Sequence, residues 1–306
     1  KYASRFFRSN VWSSKVFKDN AYICYGGDLY AINLHSKEIS KEISFKKGRG
    51  PLSFCEIKDI KGFEDGIYFG EYFMNPNLEE IKIFGKTNSY AWKDFYTFKN
   101  EYAINHIHSL IPDKYNNCVW ILSGDFKDAA AIFKATNNFN KIEKVIGSDQ
   151  NSRGVIAFPT KKGLVYATDS QFIENTIRIL TFENNRWQSE ELFKINGPVT
   201  NGCELPDFYV FSTSTEPGEE SKNKIKSFFD KKPGVGIKEN ESQIILLSKD
   251  LTNLNVIYRN QKDWLPYRLF QFGSISFPQG ENKNNRIYAY PVACKSNDQN
   301  TEIIDF

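Results

Sequence analysis

The chain has 306 residues, 40% hydrophobic, 15% aromatic and 25% charged, and its 40 Lys and Arg against 37 Asp and Glu leave a formal charge of +3. This balance supports a large globular core and excludes a disordered chain, a coiled coil and a small disulfide scaffold. It also excludes a polybasic nucleic-acid binder, and the longest apolar runs, such as Ile-Ile-Leu-Leu within residues 242–247, are far too short for a membrane span.

The aromatics are 26 Phe, 16 Tyr and 5 Trp against one Met, a bias that favours strands. Along the chain, a turn rich in Gly, Asn or Asp is followed by an aromatic inside an apolar run. This recurs at residues 20–26 (Tyr22), 65–72 (Tyr68), 117–125 (Trp120), 163–169 (Tyr166), 207–212 (Tyr209) and 285–293 (Tyr288). The spacing is roughly 40–50 residues, the length of a four-stranded propeller blade. The last interval is longer because it holds a polar insertion at about 216–243, with the best helical candidate at 219–230. Six anchors in 306 residues give 51 residues per repeat. The prediction is an all-β, six-bladed β-propeller forming one domain over residues 1–306, with five or seven blades as alternatives.

The third blade reads as strands at 107–113, 118–123, 129–135 and 141–146. The last blade shows three, at 273–277, 286–293 and 301–306, and its fourth is expected from residues 2–8, so that an N-terminal strand closes the propeller. A β-sandwich or two stacked β domains is the competing reading.

The chain starts at Lys1, which reads as a processed or trimmed N-terminus. Its five cysteines, Cys24, Cys55, Cys118, Cys203 and Cys294, show no zinc spacing and read as buried free thiols. That points to a reducing, cytoplasmic setting; a trimmed start leaves a periplasmic or secreted one open.

In a propeller the loops after the second and fourth strands of each blade share one face. The second-strand loops carry Glu71, Asp125, Asp169 and Glu216 at equivalent places. The fourth-strand loops carry Arg49, Asn105-His106-Ile107-His108, Asp149-Gln150-Asn151-Ser152-Arg153, Asn196 and Gln271. Positions i and i+2 of a strand point to the same side, so His106 and His108 project together. The third histidine, His35, reads as an ordinary surface residue. Single carboxylates often serve only to cap turns, and Arg153 is also readable as a clamp between loops. Four carboxylates in register with a His pair point further, to catalysis by His106, His108, Asp125, Asp169, Glu216 and Glu71. Arg153 suits a bidentate grip on an anionic group. Trp92, Trp120 and Tyr72 offer a stacking platform, although core packing also suits Trp92 and Trp120.

The stretch from about Tyr68 to Asn175 resembles a bacterial β-propeller family of the sialidase-like, BNR-repeat type, associated with surface-polysaccharide gene clusters. The matching pieces are Gly70-Glu71-Tyr72 with Asn75, His106-Ile107-His108, Gly124-Asp125, Gly147 with Gln150 and Arg153, and Tyr166-Ala167-Thr168-Asp169 with Asn175. Gly197-Pro198, Ser212-Thr213 with Glu216-Pro217, and Lys262-Asp263 with Gln271-Phe272-Gly273 extend the likeness to about Pro278. The Asp box of such repeats, S-x-D-x-G-x-x-W, is reduced to its Trp at Gly85–Trp92, and neither the arginine triad nor the Tyr/Glu pair of a sialidase can be placed. The resemblance implies bacterial surface glycans as the setting.

Two function classes follow. One is a carbohydrate-active enzyme of glycosidase, lyase or transferase type, with the six residues above as catalytic candidates. Arg153, Gln150, Tyr72, Asn175, Gln271 and Arg49 would then bind an oligo- or polysaccharide, anionic in the lyase variant. A glycosidase needs two carboxyl groups, and a lyase a His base with Arg153 neutralising a uronate. No organic cofactor is called for. The metal variant places a divalent ion on His106 and His108 with Asp125 or Gln150. The other class is a non-catalytic glycan-binding or scaffold propeller. There is no P-loop and no dinucleotide fingerprint.

Overall fold

The computed structural model describes residues 2–88, 91–125, 129–218 and 224–305. Among them, strands form six small sheets. The first holds β1 (Ser13–Phe17), β2 (Asn20–Tyr25), β3 (Asp28–Asn33) and β4 (Ile39–Ser44). The second holds β5 (Cys55–Ile57), β6 (Gly66–Gly70), β7 (Ile81–Lys86) and β8 (Lys93–Phe98), and the third β9 (His106–Asp113), β10 (Cys118–Gly124), β11 (Ala131–Thr136) and β12 (Lys141–Gly147). The fourth holds β13 (Gly154–Pro159), β14 (Leu164–Thr168), β15 (Thr176–Glu183) and β16 (Arg186–Lys194). The fifth holds β17 (Val199–Glu204), β18 (Phe208–Thr213), β19 (Glu241–Ser248) and β20 (Leu254–Gln261). The sixth holds β21 (Ser274–Ser276), β23 (Arg286–Val292) and β24 (Glu302–Asp305), while β22 (Gly280–Glu281) joins the fifth sheet in parallel beside β17. Six consecutive antiparallel meanders are the arrangement of a six-bladed β-propeller.

The anchors Tyr22, Tyr68, Trp120, Tyr166, Tyr209 and Tyr288 all fall on the second strand of their sheet. That position explains the sequence signal. A second strand is flanked by strands on both sides, so β6, β10 and β14 are buried at every residue and read as unbroken apolar runs. Five of the anchors are buried, and Tyr288 in the sixth sheet is half-exposed. The fourth strands are outer edges, and they carry charge: Ile39–Ser44 is ISKEIS and Lys141–Gly147 is KIEKVIG. Charged edges discourage strand addition. The two-residue turn between β2 and β3 uses Gly26 and Gly27 at positive φ, as a primed hairpin turn requires.

The chain packs into two compact units. The first comprises Ser9–Gly154 and Pro159–Lys161 and carries the first three sheets. Its core fills the spaces between sheets, with Tyr68, Phe98, Ile107, Ile121, Phe133 and Phe139 in one cluster and Tyr22, Leu29, Ile67 and Phe69 in another. Burying each such side chain contributes about 1.5–3 kcal/mol. The second unit comprises Lys1–Arg8, Val155–Phe158 and Lys162–Phe306.

Three expectations change. Residues 2–8 do not form a strand: Tyr2–Phe7 is a short helix, α1. Its anchor is the wholly buried Arg5, paired with Asp263 at 2.7 Å and Asp298 at 3.2 Å and donating through Nε to Phe270 O at 2.9 Å. Phe6 and Phe7 are exposed, so a period-two apolar reading of this segment fails because a charge holds it. The sixth sheet therefore has three strands. Within the polar insertion, only Lys224–Phe228 is helical among the described residues (α2), and positions 219–223 lie outside them. The insertion ends earlier than expected, since Glu241–Gln243 already belong to β19. A third short helix, α3, spans Tyr267–Phe270. No described helix is long and apolar enough to cross a membrane.

Candidate functional site

The third sheet of the first unit brings two histidines together on its first strand. The β9–β10 register slips there: Ser109 faces Leu122 and Ile107 faces Ser123, so His108 is the extra residue of a bulge. Bulges re-aim side chains. His106 and His108 are both buried, with their Nε2 atoms 3.0 Å apart. Each ring is held from behind. His106 Nδ1 lies 3.1 Å from Phe73 O, and His108 Nδ1 lies 2.8 Å from Gly154 O. A carbonyl oxygen only accepts, so each Nδ1 carries a proton and donates it, which turns both Nε2 atoms toward each other and toward the loop after β10.

The loop after β10 supplies the third member. Gly124 passes close to the His108 ring: a Cβ there would lie 2.1 Å from His108 Cε1. Only glycine fits this approach, and the next residue, Asp125, delivers its carboxylate to both rings. Oδ1 is 3.1 Å from His108 Nε2 and Oδ2 is 3.3 Å from His106 Nε2. The Gly124–Asp125 peptide is cis. Positions 126–128 of this loop lie outside the described residues.

The connection from β12 to β13 holds Asp125 in place. Asp149 caps a 3₁₀ turn over Gln150–Ser152 by accepting from Ser152 N at 2.9 Å. The turn lets Gln150 Nε2 donate to Asp125 O at 2.9 Å, and Arg153, at its C-terminal end, sets a guanidinium nitrogen 3.1 Å from Asp125 Oδ1. Burial opposes ionisation of Asp125, but hydrogen bonds with His106 and His108 and the Arg153 charge outweigh it and hold the carboxyl well below the usual range. Asn105 Oδ1 accepts from Asp125 N at 3.4 Å.

A strip of rings leads to the cluster. The Tyr72 ring lies 4.3 Å from the His106 ring and 6.1 Å from that of Trp12, and the Arg49 guanidinium sits 6.0 Å over Trp12. Trp12 is 37% exposed, so one edge of the strip faces solvent.

His106, His108, Asp125, Gln150, Arg153 and Tyr72 thus stand together, and Arg49 joins through Trp12. Glu71 is turned elsewhere: its Oε2 accepts from Lys82 N at 2.8 Å, and burial pushes its carboxyl up against that hydrogen bond. The other expected residues belong to the second unit. Asp169 is buried directly after β14. Glu216 accepts from Ser214 Oγ at 2.9 Å. Asn175 uses its amide on backbone groups, donating to Ser170 O in its own loop and to Gly236 O in the polar insertion and accepting from Ser170 N. Gln271 ends α3 at φ 72°. Trp120 and Trp92 bond Asp113 and Glu42 through their indole nitrogens within the protein, which leaves Tyr72 alone of the three expected platform rings at the site. His35 is exposed beside Asp19.

Sequence reading missed Trp12, which precedes the first anchor and lies outside the repeat. It also missed the carbonyls of Phe73 and Gly154, which carry no side-chain signal.

Sheets of this number and order define the class: the chain is a β-propeller. The computationally designed Ika8 protein is similar to it with a TM-score of 0.52 at 8% identity, over 97% of this chain and 71% of that one. U3-55K is similar with a TM-score of 0.51 at 10% identity, over 98% of this chain and 96% of that one. At these identities the likeness is one of fold. No protein-family model matches the sequence, and no curated protein matches it.

Proposed function

We propose that the chain is a carbohydrate-active propeller that works on a bacterial surface polysaccharide or an intermediate of its assembly, at the cluster of His106, His108, Asp125 and Arg153. The observation that supports this most is the strip Arg49–Trp12–Tyr72 running up to His106. Sugars offer apolar C–H faces ringed by hydroxyls, and partly exposed Trp and Tyr rings offer flat partners with a polar edge. The resemblance to sialidase-like, BNR-repeat propellers supplies the bacterial-surface setting, and the five free thiols favour a cytoplasmic one for the work itself. Sialidase cleavage is not part of the proposal.

Of the three reaction types, lyase-type elimination has its parts together in one unit. A histidine takes the proton from the carbon next to a uronate carboxylate, the released pair forms a C=C bond as the C–O bond to the leaving sugar breaks, the leaving oxygen takes up a proton from water, and Arg153 balances the carboxylate charge. A second reading, a glycan-binding propeller without chemistry, is favoured by the same ring strip, because stacking alone needs no acid or base.

The test is a panel of neutral and acidic bacterial surface oligosaccharides, scored for binding and for new products by mass spectrometry. Retention of at least one acidic glycan is expected, with products that vanish in Asp125→Asn. Binding without products selects the second reading, and no binding across the panel overturns both.

A further inference from the structure

Among the described residues, His106, His108 and Asp125 are the one place where three metal-binding side chains converge. Their arrangement poses a physical problem. Both Nδ1–H groups are committed to backbone carbonyls, so the two Nε2 atoms meet at 3.0 Å in a buried space, facing a carboxylate 3.1 and 3.3 Å away. Three such ligand atoms come this close in a low-dielectric interior only with a cation among them, whether a proton or a metal ion.

We propose that this cation is a divalent first-row transition-metal ion, bound by Nε2 of His106, Nε2 of His108 and the carboxylate of Asp125. The donor set is two imidazoles and one oxygen, which suits zinc, cobalt, iron or manganese rather than the all-oxygen cages of calcium and magnesium. Ligand bonds of about 2.0–2.1 Å at tetrahedral angles put donor atoms about 3.3 Å apart, close to the separations seen here. The rings are also oriented as metal-binding histidines are, each with its far N–H on a backbone carbonyl. Gly124 leaves the space His108 needs, since any side chain there would strike the ring. Arg153 contacts Oδ1, leaving Oδ2 on the His106 side for the ion.

Three protein ligands leave a coordination position for water or a substrate oxygen. With Arg153 alongside, the metal-bound site carries excess positive charge and favours an anionic ligand such as a carboxylate. The ion goes beyond the glycan reading and does not rest on it, because its binding is measured without any sugar; with both Nε2 atoms on the ion neither histidine is free to act as the lyase base, so the ion and the histidine-base step are alternatives that the EDTA comparison separates.

The experiment strips the full chain with EDTA and titrates it with Zn2+ by calorimetry and with Co2+ by visible absorption. One equivalent is expected to bind, with a Co2+ d–d spectrum of a four- or five-coordinate nitrogen–oxygen site. His106→Gln and His108→Gln each weaken the affinity by more than about 100-fold, and His35→Ala leaves it unchanged. The wild-type Co2+ spectrum and an anomalous-scattering peak between the two Nε2 atoms need no variant, so misfolding of a variant does not decide the outcome. Absence of stoichiometric binding by the folded wild type, or binding that survives both Gln substitutions in folded protein, overturns the proposal in favour of a histidine pair bridged only by a proton. A chain that binds Zn2+ but no glycan leaves the ion standing and removes the carbohydrate reading; glycan turnover unaffected by EDTA with no ion bound does the reverse.

Discussion

His106 and His108 face each other nitrogen to nitrogen at 3.0 Å, each with its other ring nitrogen fixed to a backbone carbonyl. This relationship depends on three local features: an i, i+2 pair on one strand, a bulge at the second member, and a glycine where the neighbouring strand passes. None of them costs the core its packing, since Ile107 between the two histidines points the other way into the apolar cluster.

Gly124→Ala puts a methyl group 2.1 Å from His108 Cε1 and 2.3 Å from its Nε2. The ring must move, at a cost of about 1–3 kcal/mol for overpacking. Chemical denaturation is expected to show that loss, and the Co2+ spectrum of the site to disappear. An unchanged spectrum contradicts the close approach.

Trp12→Ala removes a partly exposed ring that touches the cluster only through Tyr72. Stability is expected to stay within about 0.5 kcal/mol. Affinity for a bound oligosaccharide falls by about tenfold or more, as the loss of one good ring contact implies. Isothermal titration of the glycan found in the panel reads this directly, and equal affinity in the two proteins removes Trp12 from the site.

Arg5→Met removes the buried cation that Asp263 and Asp298 share in the second unit and leaves Asp263 with Lys262. Breaking such a pair costs about 3–5 kcal/mol, measurable by urea unfolding. The pH dependence has a definite sign. Burial opposes ionisation of Asp263, but Arg5 and Lys262 outweigh it and lower its pKa. A carboxyl with a depressed folded pKa stabilises above its unfolded value of about 3.9 and loses that contribution as pH falls through the folded one. Wild type therefore loses stability below about pH 4, and Arg5→Met shows a flatter slope there.

All five cysteines are free and buried, and burial pushes their thiols up, Cys24 to about 11 and Cys55, Cys118, Cys203 and Cys294 to about 12. Thiolate is the reactive form. Native protein at pH 8 is expected to be nearly inert to a disulfide reagent, and denatured protein to release five equivalents. A thiol that reacts within seconds in the native state contradicts this.

The six sheets were legible because an aromatic on each second strand is sandwiched between neighbours and so stands in an apolar run bounded by turns. Tyr22, Tyr68, Trp120, Tyr166 and Tyr209 are buried for that reason. In the third sheet the expected strands match β9 to β12 within two residues at each end. The N-terminus was not legible, because Arg5 holds α1 by ion pairs with residues more than 250 positions away in sequence, and no local pattern encodes that. At the site, i, i+2 spacing gave the histidine pair and blade alignment gave Asp125 and Arg153. Asn175 lies in the other unit and bonds backbone groups, an arrangement that sequence alone does not distinguish from an amide open to a ligand. Trp12 was missed because it sits ahead of β1 and outside the repeat.

The most direct test of the central claim is a crystal structure of the wild-type chain soaked with an acidic oligosaccharide that the panel shows it binds. Sugar density is expected along Trp12 and Tyr72, with a ring carboxylate or glycosidic oxygen within hydrogen-bond reach of Asp125, Arg153 or the His106–His108 pair. Density elsewhere in the molecule, with the cluster untouched, contradicts it.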